Sequence, residues 1–299
     1  MTLGGPDQET SIPGMTPAQA AALAKDHGME QVGVRPPLGK YLVDLWRHRS
    51  FLITMSTADY ASRHQQNVLG QIWGVLNPLM VGAAYYLIFG LLLGTDRGLE
   101  PGTYPTFLII GLFSFIFISA GMNAGSKAIT GNMGMVRALR FPRVILPISV
   151  AITELFATLP AFAMAVGVAL LSGERPTTSW LLFPVGILIT FMVTTGLALL
   201  FSRLVYAVRD AGNFVPLLTR VLRYISGVFF VISAYATGWV QILLDYQPVA
   251  LCLSILRQSL MEQFPVDWTM WAIAAGWGVA LMAIGTIVFW QGEATYGHK

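Results

Sequence analysis

The chain has 299 residues, of which 55% are hydrophobic and 11% charged, with a formal charge of +3 and a mean hydropathy of +0.63. A soluble protein carries about 25% charged residues, and 11% cannot cover the surface of a soluble core of this size, so a water-soluble globular fold is excluded. The single cysteine, Cys252, excludes an intrachain disulfide and a cysteine metal cage. Residues 1–37 are polar and rich in Pro and Gly, lack the apolar core of a secretory signal, and read as a flexible tail. The stretch 38–67 then reads as an amphipathic helix. Leu38, Leu42, Leu45, Trp46 and Ile53 share one face and Lys40, Asp44, Arg47 and His48 the other, a pattern suited to lying in a membrane interface.

About 20 apolar residues are needed to cross the hydrocarbon layer. Six stretches meet that rule, at about 72–94, 107–125, 144–171, 180–201, 214–235 and 268–290, within a transmembrane domain spanning 68–295. The last is bracketed by Trp268, Trp271 and Trp290, as interfacial tryptophans would be. With the N-terminus inside, the inner loops hold Lys127, Arg137, Arg140, Arg143, Arg203 and Arg209 beside the Lys40–Arg63 group. The outer loops then hold only Arg97, Arg175 and Arg257, along with the acids Asp96, Glu100, Glu174, Asp245, Glu262 and Asp267, so the positive-inside rule places both termini in the cytoplasm. Residues 236–267 are too apolar for a loop and too interrupted by Asp245, Pro248, Arg257 and Glu262 for a span. Two short re-entrant helices on the outer face suit them better. The expected fold is an all-α integral membrane protein with six spans, an interfacial N-terminal helix and two extracytoplasmic re-entrant helices.

Catalytic signatures are missing: there is no HExxH, no GxxxxGK[ST], and no pair of carboxylates set to face one cavity. If the chain moves anything uphill, the energy must come from elsewhere. Glu154 lies about ten residues into the third stretch, near mid-membrane, where an acid is costly and faces the bundle interior. It either pairs with Arg220 or Arg223, bonds Thr158 one turn on, or handles a proton or substrate. Arg220 and Arg223 are either snorkelling anchors or ligands for an anionic headgroup such as a pyrophosphate. Tyr85, Tyr86 and Phe89 either pack or stack on sugar rings in a conduit. The GxxxG spacings at Gly70–Gly74, Gly90–Gly94 and Gly121–Gly125 permit close helix approach.

The stretch GNMGMVRALRFPRVILP (131–147) sets one turn of potential helix, 133–139, between glycines and Phe141-Pro142. Proline pushes the residue before it out of helical geometry, which lets Arg143 and Pro147 start the third span in a new direction. Topology alone accounts for the cations but not for a protruding helical turn.

Four motifs resemble those of ABC-2 type permeases that export polysaccharides, the Wzm and TagG group. In SRHQQNVLGQIWGVLNPLM (62–80) Arg63, Leu69, Gly70, Trp73 and Pro78 match the family's Arg-Tyr-Lys-x-Ser-x-Leu-Gly-x-x-Trp…Pro run, while His64, Gln65 and Asn67 depart from it. ALRFPRVILP (138–147) resembles its Lys-x-x-Phe-Pro-Arg-x-x-Leu-Pro loop, with Arg140 leading straight into Phe-Pro-Arg, VYAVRDAGNFVP (205–216) its Tyr-Arg-Asp segment through Arg209 and Asp210, and YQPVALCLSILRQSL (246–260) its Asn-Pro…Arg stretch with Gln247 replacing Asn. The resemblance covers about residues 40–295. It implies a homodimer that binds two copies of a cytoplasmic ABC ATPase of the Wzt type, which would carry the ATP and Mg; no cofactor is expected on this chain. It implies that Arg137, Arg140, Phe141, Pro142 and Arg143 belong to a coupling helix docked on that ATPase. The cargo would be a lipid-linked glycan on polyprenyl pyrophosphate, with Arg203, Arg209, Arg220 and Arg223 near its headgroup, moved across the bacterial inner membrane; cell-wall galactan is one candidate. The alternatives are an ABC-2 exporter of drugs or lipids, and a membrane-embedded polyprenyl-phosphate transferase, which would need clustered cytoplasmic acids. No nucleic-acid partner is expected.

Overall fold

The computed structural model describes residues 36–65, 72–88, 99–100, 102–139 and 141–296, and among these the chain is helical and has no strand. The helices follow in order: α1 (Leu38–Arg47), α2 (Arg49–Gln65), α3 (Ile72–Tyr85), α4 (Tyr104–Ser126), α5 (Met133–Ala138), α6 (Ile145–Leu171), α7 (Phe183–Ala207), α8 (Ala211–Ile225), α9 (Gly238–Asp245), α10 (Pro248–Leu260) and α11 (Trp268–Gln291). Four are long and apolar enough to cross a bilayer: α4, α6, α7 with the turn before it (Thr178–Ala207), and α11. They fall on four of the six expected spans, and the chain is a multi-pass membrane protein.

The other two expected spans look different. The stretch at 72–94 begins as α3 and continues as a wider turn over 86–88, while 89–98 lie outside the described residues. The stretch at 214–235 is not one helix. α8 stops at Ile225, and Gly227 takes φ +68°, a left-handed geometry that favours glycine and ends helices. The chain then runs irregularly to a short turn at Ile232–Ala234. By length and composition the described residues supply four crossings, or five if the bent pair α9–α10 counts as one, against the six expected.

That pair meets at 77°. Pro248 opens α10, and the residue before it, Gln247, is extended at φ −67° and ψ 147°, as the proline ring dictates. α9 is largely exposed, whereas almost every residue of α10 is buried.

α4 is apolar all round and is the central post of the bundle, as such a helix must be. It packs against α6, α7, α8 and α10, and α11 packs along the far side of α7. Small residues set the close crossings. A Cβ on Gly121 would strike Thr194, and one on Gly125 would lie 2.5 Å from Ala198, so the Gly121–Gly125 spacing serves α4 against α7 within one chain. Where α7 crosses α11, a Cβ on Gly196 would stand 2.5 Å from the Leu281 carbonyl carbon, and one on Gly285 2.8 Å from the Gly196 oxygen. Backbone cannot yield as a side-chain tip can. Gly196→Leu should cost about 3 kcal/mol by overpacking, read as a lowered thermal midpoint of the protein in detergent; an unchanged midpoint would show that the two helices separate freely.

The N-terminal stretch 38–67 is divided at His48 into α1 and α2. α1 keeps the amphipathic pattern, with Trp46 71% and Leu42 44% exposed, yet buries Tyr41 at 1%. α2 leans on α6 and runs in the same direction. Phe51 meets Phe141 with centroids 5.5 Å apart, Thr153 Oγ1 donates to the Ser56 carbonyl at 3.1 Å, and Tyr60 meets Phe156 at 6.4 Å.

Candidate functional site: the cation-rich end of the bundle

The loop between α4 and α6 contains short helical elements of its own. After α4 a short turn at Thr130–Asn132 leads into α5, and Leu139 ends it in an extended conformation at φ −118° and ψ 144°. α5 is therefore the isolated turn of helix that the glycines and Phe141-Pro142 foreshadow. Arg137 is exposed on it, and Arg140 lies outside the described residues. Phe141 packs on α2 through Phe51, and Pro142 accepts the amide of Ile145 at 3.1 Å to start α6.

Arg143 points elsewhere. Its backbone N–H donates to Glu293 Oε1 at 3.1 Å, and its guanidinium reaches the Glu293 carbonyl at 3.2 Å and Oε1 at 3.4 Å. The same carboxylate accepts the Tyr41 hydroxyl at 2.8 Å, and that hydroxyl accepts the Val144 amide at 3.3 Å. Glu293 is 5% exposed and lies just beyond α11. One carboxylate thus joins α1, the chain leaving α5, and the end of α11. Burial holds the Glu293 carboxyl above the usual carboxylate range, outweighing the Arg143 and Tyr41 hydrogen bonds that pull it down. Burial and the neighbouring Glu293 likewise raise the Tyr41 phenol. Sequence reasoning ranked neither Tyr41 nor Glu293 as a site residue.

Next to α5 opens a cleft of about 520 Å³, walled by Lys127, Thr130 and Arg137 on one side and by Tyr206, Arg209 and Asn213 at the α7–α8 junction on the other. Of the four arginines expected to meet an anionic headgroup, only Arg209 lines it. Arg203 sits over the Tyr296 ring at 5.5 Å and donates to Thr295 Oγ1 at 3.2 Å. Arg220 is exposed on α8. Arg223 turns inward, donating to the Tyr85 hydroxyl at 3.4 Å with its guanidinium 5.4 Å from the Phe115 ring. Two residues singled out separately, Tyr85 and Arg223, are therefore brought together. Tyr85 also lies 5.1 Å from Phe229. Tyr86 is half-buried in the turn after α3, and Phe89 lies outside the described residues.

Glu154 has a different partner from those expected. It pairs with neither Arg220 nor Arg223, but with Arg63 at the end of α2, whose Nη1 stands 2.8 Å from Oε1. Thr158 donates to the Glu154 backbone carbonyl at 2.8 Å, not to its carboxylate. The correction follows from α2 lying along α6, which delivers a long cationic side chain to the acid.

At the opposite, acid-rich end, Arg257 is 5% exposed and binds three carbonyls, those of Phe107 at 3.2 Å, Gly227 at 2.9 Å and Val228 at 3.0 Å. The sequence reading counted it among outer-loop cations. It is instead the pin that holds the break after α8 against α4 and α10.

A profile of the ABC-2 type transporter family matches residues 51–261. The O-antigen export system permease protein RfbA of Klebsiella pneumoniae is 25% identical over 252 residues, which cover 83% of this chain and 92% of that protein. The protein of the same name from Myxococcus xanthus is 27% identical over 190 residues, or 64% of this chain and 72% of its own length. The polysialic acid transport protein KpsM of Escherichia coli is 21% identical over 197 residues, or 66% and 75%. The matched region runs from α2 through α5 and its flanking loop to the end of α10, which is most of the chain, and by that match the protein belongs to the ABC-2 type transporter family.

Proposed function

We propose that this chain is the membrane-spanning permease subunit of an ATP-driven polysaccharide exporter, with its ATPase on a separate polypeptide. The observation that carries the reading is α5. A short helix with an exposed arginine, anchored to the cation-rich end of the bundle through buried Val136, suits docking into another protein, and three relatives carry the names of O-antigen or polysialic acid transporters. A chain without a nucleotide-binding motif needs such an element to receive work from outside. Arg137, Arg140, Phe141 and Pro142 form the docking element, and Arg143 fastens its exit to the rest of the molecule through Glu293.

The partner is an ABC-type ATPase in two copies, carrying ATP and Mg, on the cytoplasmic face of the bacterial inner membrane, with both termini of this chain on that side. The cargo is a lipid-linked glycan. Its pyrophosphate headgroup suits the cleft between Lys127 and Arg209, whose wall is α5 itself, so a movement of α5 would reshape the cleft. α8 supports a homodimer: Phe214, Leu217, Val221 and Tyr224 recur at spacings of three and four and are about half exposed, an apolar seam of coiled-coil type. The conduit then runs between the protomers beside Tyr85, Tyr86 and Arg223.

The test is co-expression with candidate ATPases encoded beside this chain. A stable complex should form with one of them, and Arg140→Glu should leave insertion intact while export falls at least tenfold. Failure of every such ATPase to co-purify, or undiminished export by Arg140→Glu, would overturn the reading.

A further inference from the structure

A second pocket, of about 220 Å³, lies at the acid-rich end, between the irregular chain after α8 and the bent pair α9–α10. Its lining is unlike that of the cationic cleft. Ser226, Gln241, Asp245, Arg257 and Gln258 contribute polar groups, and Phe230 is among the rings that supply apolar wall. Ser226 is 1% exposed, and its hydroxyl has no hydrogen-bond partner. A buried hydroxyl in that state costs free energy unless something enters to satisfy it.

The chemistry of the lining selects the class of occupant. An anion is disfavoured, because Asp245 is in the wall and Arg257 has spent three of its donors on carbonyls. A purely apolar group would leave the Ser226 hydroxyl unsatisfied. A ligand with several hydroxyls and an apolar ring face meets both conditions: it can accept from the remaining Arg257 N–H groups, exchange hydrogen bonds with Ser226, Gln241 and Asp245, and lie against Phe230. The volume is that of about seven liquid waters, room for one small ring and not a chain. We propose that this pocket binds a single neutral sugar residue of the exported glycan at the outer mouth of the permease. The proposal rests on the polysaccharide-exporter reading, because only then does a sugar reach this end of the molecule.

Its consequence is a holding point beside the break after α8. Arg257 lines the pocket and also pins Gly227 and Val228, so a sugar bonded there touches the residue that closes the break after α8. The experiment is saturation-transfer difference NMR on the full chain in lipid nanodiscs, with D-galactose, L-rhamnose, D-mannose and N-acetyl-D-glucosamine as neutral probes and glucose 1-phosphate as the anionic one. Transfer to at least one neutral sugar is expected, weakened about fivefold in Ser226→Val through loss of one hydrogen bond. Gln241→Leu, on the exposed helix α9, should weaken it similarly and guards against misfolding of the serine variant. No transfer to any neutral probe, stronger transfer to the phosphate, or transfer in both variants undiminished from that of the wild type would overturn the proposal. The measurement needs no ATPase, so its failure is distinct from failure of an ATPase to co-purify.

Discussion

Replacing Glu293 by alanine should lower the stability of the folded protein by roughly 3 kcal/mol or more, because it strands a buried phenol and a partly buried guanidinium at once. Tyr41 would lose its acceptor and Arg143 two of its three contacts, those to the carboxylate, in a site where Glu293 is 5% exposed and the Arg143 side chain 24%. Tyr41→Phe removes the hydrogen bond to the carboxylate and the one accepted from the Val144 amide, and should cost less, about 2 kcal/mol. Thermal unfolding followed by size-exclusion chromatography reads both; equal losses would show that the phenol, not the carboxylate, is the centre of the clasp.

The pH dependence gives a second readout of the same group. Burial raises the folded-state pKa of Glu293 above its unfolded value. Its contribution is full where both states are protonated, below the ordinary glutamate value of about 4.3. It is lost as pH rises through the raised folded value, because the buried group must then ionise. Glu293→Gln cannot titrate. The margin of the wild type over Glu293→Gln should therefore widen from mildly alkaline to mildly acid buffer. A margin that narrows would mean that the hydrogen bonds from Tyr41 and Arg143 overcome burial.

What the sequence reveals here follows from how far apart the interacting groups lie. α4, α6, α7 and α11 are legible because each is a long run nearly free of charge, a property of neighbouring residues. α5 is legible for the same reason, between its glycines and Phe141-Pro142. The end of α8 is not: Gly227 sits in an apolar stretch that passes for a span, and only its positive φ betrays the break. Its arginines are one turn apart, yet the fold sends Arg223 to Tyr85 and leaves Arg220 outside.

The pairings are harder still. Tyr41 and Glu293 are 252 positions apart, and Arg63 and Glu154 are 91 apart. Nothing local selects Arg63 over Arg220 as the partner of an intramembrane acid; the path of α2 along α6 does. Gly121 and Gly125 announce a close approach but not its target, which is α7 of the same chain.

Arg257 is the extreme case, since its partners are backbone carbonyls that leave no mark in a sequence. Arg257→Leu should cost about 4 kcal/mol, because charge-assisted bonds to three carbonyls are lost and those groups stay buried without donors. Lysine separates two explanations. If a positive charge over the Phe107 ring, 3.5 Å away, were what mattered, Arg257→Lys would be nearly silent. If knitting the break after α8 to α4 matters, lysine should fail almost as badly, because a single ammonium cannot span carbonyls that a planar fork reaches together. The structure favours the second outcome. Gly111 on α4 has no Cβ exactly where the guanidinium lies, so α4 makes room for the fork itself. Gly111→Ala should accordingly reproduce much of the loss with Arg257 still present, measured by the same unfolding assay, and a neutral Gly111→Ala would mean that the guanidinium can move aside without releasing Gly227 and Val228.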